Sequence, residues 1–236
     1  STGKAEAKQS WSLTPSNRMT KRSLKVAVLA ACPFPTHQGT QVLVRHLADA
    51  QVRAGHEVEL FSFGYGEALE ETNFVHRPMQ FLNPGLRSGP SLKRLLNDGY
   101  LAWNLRKALK RETFDILHVH NVEGLLIGLA LKLSGMKTPL VYQAHNTMLE
   151  ELPTYYSNPL TRLGMRLAGG VFDFLLPRHA DAQIVFDNAH RELQIRRGGS
   201  HCDVFVAKPG LHAAELQNIS TVEVDLPAGR YLVYCG

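Results

Sequence analysis

Hydrophobic and polar positions follow two different periods along residues 25–61, and the change between them predicts three consecutive elements. Residues 25–31 form a nearly unbroken apolar run, which is typical of a strand buried on both faces of a parallel sheet. From Gln41 the apolar residues recur with a helical period, and Gly55 ends the predicted helix. Residues 57–61 are the next predicted strand. A doubly wound sheet begins in this way, and its ligands bind at the carboxyl ends of the strands.

The same alternation continues along the chain and predicts the fold class. Further strands are predicted at residues 115–121, 138–146, 180–186, 203–207 and 230–236. Helices are predicted at residues 91–110, 124–133, 159–176 and 190–197. The section between Gly64 and residue 90 contains several turn signals and is predicted to be an irregular surface loop, as are residues 150–156. The sequence therefore predicts an α/β protein with a doubly wound, Rossmann-like parallel sheet.

The chain is expected to contain one domain and the beginning of another. Residues 1–23 are polar and have no apolar period, which predicts a disordered basic tail. Residues 24–212 are predicted to form the Rossmann-like domain, and residues 213–229 a polar connector. Residues 230–236 would be the first strand of a second domain that this chain does not contain, because no helix follows to cover that strand.

The positive charge of the chain is concentrated near its amino terminus. The formal net charge is +5, and residues 1–25 alone contain six Lys or Arg residues and one Glu. Nucleic acid is therefore not an expected partner of the folded part. The three cysteines are widely spaced and indicate reduced thiols. Because the sequence resembles neither a signal peptide nor a membrane span, we expect a cytoplasmic protein.

Residues 91–111 combine a leucine-rich helical period with Lys and Arg side chains near both ends of the helix. Such a helix can pack its apolar face on the core and expose its basic face to solvent. The same composition also suits contact with an anionic membrane surface or with an acceptor that carries phosphate. The sequence leaves both alternatives open.

Three of the predicted strands lead into residues that could bind a polar ligand. Gly39 lies in the loop after the first strand, His120 near the end of strand 115–121, and His145 near the end of strand 138–146. The carboxyl ends of parallel strands meet at one edge of the sheet. We therefore expect these three residues to lie along a common crevice.

Several chemistries that this fold supports lack their motifs here. No Gly-x-Gly-x-x-Gly follows the first strand and no acidic residue ends the second, which argues against nicotinamide binding. A Gly-Lys-Ser/Thr phosphate loop and a Gly-x-Ser-x-Gly elbow are also missing from the sequence. His118 and His120 share one strand face, but no nearby carboxylate or thiolate completes a metal site. We expect neither a metal nor a bound cofactor.

Glycosyl transfer from a nucleotide sugar fits the residues that are present. A glycine loop at a helix start offers backbone N–H groups and the positive end of the helix dipole to a phosphate. A neighbouring histidine can hydrogen-bond a sugar hydroxyl or a phosphate oxygen. The leaving group of this reaction is a diphosphate, whose developing charge needs stabilisation. A nucleotide-sugar donor is therefore the expected co-substrate, and the acceptor is open.

Several segments occur in an order that is typical of one enzyme family. They are Gly39 after a proline-containing loop, residues 53–58, 115–120 and 180–185, the strand ending in His145 and Asn146, and residues 206–211 and 231–236. In these segments the chain resembles the amino-terminal domain of the retaining GT-B glycosyltransferases of family 4. Residues 206–211 are similar to the exit from that family's first domain, and residues 231–236 to the first strand of its second. The resemblance spans about residues 25–236.

The resemblance implies roles for matching residues. Gly39 would lie against the donor phosphates or the acceptor, and His145 would be the catalytic residue, near the donor sugar. Asn146 and Thr147 would line the acceptor side. The family's basic pair and glutamates, which hold the nucleotide sugar, belong to its second domain, so this chain is expected to be inactive alone.

The sequence also departs from the family pattern. Thr40 stands where the family often has a second glycine, and Asp187 where it often has a serine. Thr40 and His120 are further candidate substrate-binding residues. The alternative hypothesis is a binding module that holds an acceptor alone, or a subunit completed in trans by a donor-binding chain.

Overall fold

The computed structural model describes residues 22–66, 72–83, 92–198 and 202–210. They form a seven-stranded, all-parallel sheet with the strand order β3-β2-β1-β4-β5-β6-β7. The strands are β1 (Lys25–Pro33), β2 (Glu57–Phe63), β3 (Val75–Met79), β4 (Ile116–His120), β5 (Leu140–Gln143), β6 (Ala182–Val185) and β7 (Asp203–Val206). The helices are α1 (Gly39–Arg53), α2 (Leu92–Arg111), α3 (Asn121–Leu133), α4 (Met148–Glu151), α5 (Pro159–Leu175) and α6 (Asn188–Gly198). This doubly wound, Rossmann-like architecture confirms the predicted fold class.

Part of the predicted domain organisation lies outside the described residues. This is the case for all but the last two residues of the predicted tail at 1–23. It is also the case for the predicted connector at 213–229 and the predicted strand at 230–236. These assignments, and the domain boundaries at 24 and 212, stay predictions.

The central strand β1 is buried on both faces, as its apolar run predicted. Ala27 and Leu29 belong to the core cluster that also contains side chains of α2 and α3. Val26, Val28 and Ala30 belong to the cluster on the opposite face, where α1 packs. Alternate residues of a strand point to opposite faces of its sheet, so one strand contributes to both layers of the core.

Two aspartates connect neighbouring strands at the amino-terminal edge of the sheet. The backbone N–H of Lys25 donates to Asp115 Oδ2 (2.8 Å), and the N–H of Asp115 donates to the Lys25 carbonyl (2.9 Å). In the same way, the N–H of Leu140 donates to Asp181 Oδ2 (2.7 Å), and the N–H of Asp181 donates to the Leu140 carbonyl (2.8 Å). These paired hydrogen bonds fix where β4 begins beside β1 and where β6 begins beside β5.

The section after Gly64 was predicted to be an irregular loop, and this prediction was wrong for Val75–Met79. These residues form the edge strand β3, which pairs in parallel with β2. Their side chains are mostly exposed, so the strand shows no apolar run in the sequence. Pro78 fits in this strand because a proline is tolerated at the edge of a sheet, where only one side of the strand is paired.

Residues 150–156 were also predicted to be a loop, whereas the structure has helix α4 and a 3₁₀ turn at Leu152–Tyr155. Elements of four residues are too short to show a helical period. A buried carboxylate supplies the missing stability, because Asp173 of α5 accepts hydrogen bonds from the backbone N–H groups of Met148 (2.9 Å) and Leu149 (3.0 Å). This cap joins α4 to α5.

The close approach of α5 to α4 makes Gly169 a sensitive position. A Cβ added to Gly169 would clash with the carbonyl oxygen of Met148, which is backbone and cannot turn away. We expect Gly169→Ala to destabilise the protein by ~1–3 kcal/mol in urea unfolding. Gly164→Ala is the matched control on the same helix, because a Cβ there would meet no described atom within 4 Å. This control is expected to be neutral or stabilising by up to ~1 kcal/mol. Equal stability of the two variants would contradict the assigned contact.

Candidate active site

The carboxyl ends of β4 and β5 bring His120 and His145 into contact. His120 ends β4 and lies opposite Gln143, the last residue of β5, in the parallel register. Nδ1 of His120 is 3.0 Å from Nε2 of His145, two residues beyond that strand. Gly39 begins α1 after the loop that follows β1, which places it at the same edge of the sheet. The predicted crevice residues therefore share one edge.

A line of aromatic rings runs along this edge on the face that carries α1. The ring centroids of His118 and His120 are 4.5 Å apart, and those of His120 and His145 are 5.3 Å apart. Phe186 follows β6 and packs edge-on against His145 at 5.3 Å. His118 Nδ1 lies 3.4 Å from the side-chain amide of Gln51, so the first ring contacts α1. We call His118, His120 and His145 the histidine chain.

Burial keeps the histidine chain uncharged at neutral pH. Desolvation lowers the pKa of His118 to about 4, and desolvation together with the neighbouring His118 lowers that of His145 to about 4. The pKa of His120 is also well below its ordinary value, because this residue is buried between the two other imidazoles. A neutral imidazole can donate one hydrogen bond and accept another. The histidine chain can thus bind polar groups without carrying a charge.

The buried, neutral His118 predicts a pH dependence of stability. Its pKa is about 4 in the folded state against an ordinary value of 6.5, so the unfolded state binds more protons between these values. Stability from this residue is complete above about pH 7 and decreases as the pH falls towards about 4. Between about pH 7.5 and pH 5, the wild type should lose about 2 kcal/mol more unfolding free energy than His118→Gln.

Urea unfolding at the two pH values measures this difference. Comparing the change in the wild type with the change in the variant removes the contribution of carboxylates that titrate in both proteins. His179→Gln, which replaces an exposed histidine, should retain the wild-type dependence. Equal losses in the wild type and in His118→Gln would contradict the assignment of a buried neutral imidazole.

The other predicted site residues occupy different positions at this edge. Gly39 is exposed, and a Cβ added there would meet no described atom within 4 Å, so core packing does not require a glycine. Asn146 is exposed, with its side-chain amide 3.5 Å from Glu151 Oε2. Thr147 is buried and directly precedes α4. Of these residues, Gly39 and Asn146 are open to a ligand.

The amino terminus of α1 has no neutralising side chain in its first turn. Gln38 is the N-cap residue, but its side chain makes no capping hydrogen bond. Its Oε1 instead accepts a hydrogen bond from Gln41 Nε2 (3.0 Å). The first turn of α1 contains no acidic residue. The positive end of the helix dipole is therefore available to an anion.

A cleft of about 190 Å³ lies between the loop after β1, the start of α3, and α4; we call it the rim cleft. Its lining includes Thr40, Gln41, Arg94, Asn121, Glu151 and Tyr155. The Tyr155 hydroxyl donates a hydrogen bond to Glu151 Oε1 (2.7 Å). Partial burial and the Glu151 carboxylate raise the pKa of Tyr155, so the hydroxyl keeps its proton. The cleft presents both donors and acceptors to a hydroxyl-rich ligand.

Sequence reasoning identified only Thr40 among these six lining residues. Asn121 directly follows β4 and has a positive φ of 60°, a conformation that asparagine tolerates better than most residues. Its position at a strand end was the signal that could have found it. Glu151 and Tyr155 belong to an acidic and aromatic segment that was treated as a loop. Arg94 lies on α2, and no local pattern places it at this cleft.

A second cavity, a groove of about 360 Å³, lies between α1 and the ends of β6 and β7. Leu43 and Leu47 of α1 line one side, while Phe186, Ala207 and Lys208 line the other. Because Phe186 also contacts His145, this groove begins beside the histidine chain. Its walls are more apolar than those of the rim cleft, so the rim cleft is the better candidate for a polar acceptor.

Among the described residues, no three His, Cys, Asp or Glu side chains are arranged to hold a metal ion. No helix in the described ranges has both the length and the apolar character needed to cross a membrane.

A doubly wound parallel sheet with polar residues at the carboxyl ends of its strands defines the class of protein as a Rossmann-like α/β domain. The sequence profile of Glycosyltransferase Family 4 matches residues 37–215. The chain therefore belongs to glycosyltransferase family 4, which confirms the resemblance seen in its motifs. None of the curated proteins matches the sequence.

Solved structures show the same fold at low sequence identity. Sucrose-phosphate synthase from Thermosynechococcus elongatus matches 77% of this chain with 14% identity and a TM-score of 0.58, over 47% of its own chain. A second structure of that synthase matches 82% of this chain with 16% identity and a TM-score of 0.52, over 92% of its own chain. A UGT transferase from Siraitia grosvenorii in complex with UDP has 14% identity and a TM-score of 0.48, covering 83% of this chain and 54% of its own. The chain spans about half the length of the first of these proteins.

Proposed function

We propose that this domain is the acceptor-side half of a glycosyltransferase that moves a sugar from a nucleotide-sugar donor to an acceptor with retention of anomeric configuration. The observation that carries the proposal is the neutral imidazole of His145, which lies at the same edge of the sheet as the amino terminus of α1. Membership of glycosyltransferase family 4 supports the reaction class.

The proposed reaction breaks the bond between the anomeric carbon and the diphosphate oxygen of the donor, and it forms a bond from that carbon to the oxygen of an acceptor hydroxyl on the same face. The leaving diphosphate takes the proton that this hydroxyl gives up. Negative charge develops on the leaving diphosphate, and the amino terminus of α1 would stabilise part of it. Gly39 leaves room there because it has no Cβ. His145 would hydrogen-bond the donor sugar, with His120 behind it. No metal cofactor is part of the proposal.

The rim cleft is the proposed acceptor site. Thr40 and Tyr155 offer hydroxyl groups, and Asn121 and Glu151 offer an amide and a carboxylate, to the hydroxyls of an acceptor. Asn146 lies beside the rim cleft, because its side-chain amide is close to Glu151, which lines the cleft. Thr147 is buried directly before α4, so it would support the acceptor side of the site from the interior.

Donor binding is assigned to a further domain, so this domain by itself should not catalyse transfer of the sugar. The match to about half of the first synthase chain supports this division. The alternative is an acceptor-binding module that acts alone or is completed in trans by a donor-binding chain. Tight binding of UDP-glucose or GDP-mannose by this chain alone, measured by calorimetry, would overturn this division of labour.

Replacing His145 by alanine tests the proposed catalytic role. In an enzyme containing both halves, we expect His145→Ala to lower kcat by at least ~100-fold, because the lost hydrogen bond would act in the transition state. The measurement is steady-state turnover of the nucleotide sugar with saturating acceptor.

His179→Ala serves as the control for this variant. His179 is exposed and precedes β6, at the opposite edge of the sheet from His145. Its replacement should leave kcat within about twofold of the wild type. An unchanged kcat in His145→Ala would refute the catalytic role of this residue.

We further propose that the protein is cytoplasmic and contacts an anionic membrane surface through α2. The outer face of this helix exposes Leu92, Leu95 and Trp103, with 73%, 66% and 55% of their surfaces accessible. Six Lys or Arg residues lie on the same helix. Its one acidic residue, Asp98, has its pKa raised to about 7 by burial and by the neighbouring Glu123 carboxylate. The helix therefore presents apolar and cationic groups together.

Vesicle co-sedimentation tests this contact. The chain should bind vesicles that contain an acidic phospholipid and should bind purely zwitterionic vesicles at least ~10-fold more weakly. The double variant Leu92→Gln/Leu95→Gln should lose most of the binding. The matched variant Leu126→Gln/Leu133→Gln changes two exposed leucines of α3 and should retain it. Equal binding by both double variants would place the contact elsewhere.

A further inference from the structure

The contact between His120 and His145 can be formed in only two ways. Nδ1 of His120 and Nε2 of His145 are 3.0 Å apart, so one nitrogen must donate and the other must accept. Each ring is neutral at pH 7, because burial lowers both pKa values. Each therefore carries a single N–H, and choosing the donor fixes the tautomer of both residues.

The second nitrogen of His120 decides between the two arrangements. Nε2 of His120 is buried and has no hydrogen-bond partner among the described residues. If His145 were the donor, the single N–H of His120 would be on this nitrogen and would have no acceptor. A buried N–H without a partner is rarer in proteins than a buried acceptor without one. The arrangement with the proton on Nδ1 of His120 is therefore favoured.

We infer that His120 is a positioning residue that donates from Nδ1 to His145 Nε2 and so holds His145 in the Nδ1–H tautomer. The nitrogen of His145 that is left for a ligand is then a donor and not a base. The meaning of this for catalysis rests on the proposed function. His145 would offer a hydrogen bond to an oxygen of the donor substrate, and it would not remove a proton from the acceptor at that nitrogen.

The packing around His145 supports a fixed imidazole orientation. One side of the ring contacts His120, and Phe186 packs edge-on at 5.3 Å between ring centroids. His120 in turn is 1% exposed and packs against His118 with the ring planes tilted by 34°, and His118 contacts Gln51 of α1. The donating ring therefore has little freedom to turn its Nδ1 away. A purely space-filling role for His120 would leave the tautomer of His145 unspecified.

Long-range ¹H–¹⁵N NMR spectra of the chain at pH 7 test the inference directly, because they distinguish the two neutral tautomers of each histidine. The signals of His145 are identified by their loss in His145→Ala. In the wild type, we expect His145 to carry its proton on Nδ1. An Nε2–H pattern for His145 in the wild type would overturn the inference without any need for a variant.

Two substitutions of His120 separate donation from packing. Asparagine places an amide N–H close to the position of the imidazole Nδ1, so His120→Asn should retain the Nδ1–H tautomer of His145. Leucine fills similar space without a donor, so His120→Leu should shift His145 towards the Nε2–H tautomer. An unchanged Nδ1–H tautomer in a folded His120→Leu protein would overturn the inference, as would its loss in His120→Asn. These spectra need no turnover, so their outcome is independent of the activity test of His145.

Discussion

The parallel register of neighbouring strands is the constraint on which the candidate site depends, and two aspartates at the amino-terminal edge of the sheet hold two of these strand pairs in place. Asp115 joins the starts of β1 and β4, and Asp181 joins the starts of β5 and β6. A parallel strand advances about 3.3 Å per residue, and a slip of one residue turns each side chain to the other face. The 3.0 Å contact between His120 and His145 could not survive such a slip. The geometry of the candidate site therefore depends on the pairing of β4 with β5, in which His120 lies opposite Gln143.

The histidine chain also shows that core and site share residues in this fold. His118 and His120 occupy interior positions of β4 that an aliphatic residue could fill, and burying a polar imidazole costs free energy unless its nitrogens are hydrogen-bonded. Gln51 and His145 supply one such bond to each ring. Shielding from water strengthens these hydrogen bonds and fixes the rings in place. The second ring nitrogens of His118 and His120 are buried without a hydrogen-bond partner among the described residues. The fold tolerates this cost in its interior, and in return the polar side chains at the edge of the sheet are held rigidly.

The sequence predicted the features that depend on local pattern and did not predict those that depend on packing between distant segments. The apolar run of β1 and the polar residues after β4 and β5 were sufficient to infer the sheet and the proximity of His120 to His145. Strand β3 was missed because its side chains are mostly exposed, and α4 because four residues show no period. Arg94 comes to the rim cleft only through the packing of α2, which no spacing in the sequence encodes. Asn121 and Glu151 carried local signals that were too weak to interpret alone.

The short strand β3 has a consequence for how the protein behaves among other molecules. An unpaired sheet edge can recruit a strand from another chain and so begin aggregation. β3 has five residues, and two of them resist such recruitment. Pro78 has no N–H to offer to an incoming strand, and the Arg77 guanidinium, paired with Glu59 at 3.0 Å, would be costly to bury. Arg77 and Pro78 are part of the reason why this strand shows no apolar run in the sequence. The same two residues thus help to prevent another chain from pairing with the sheet at β3.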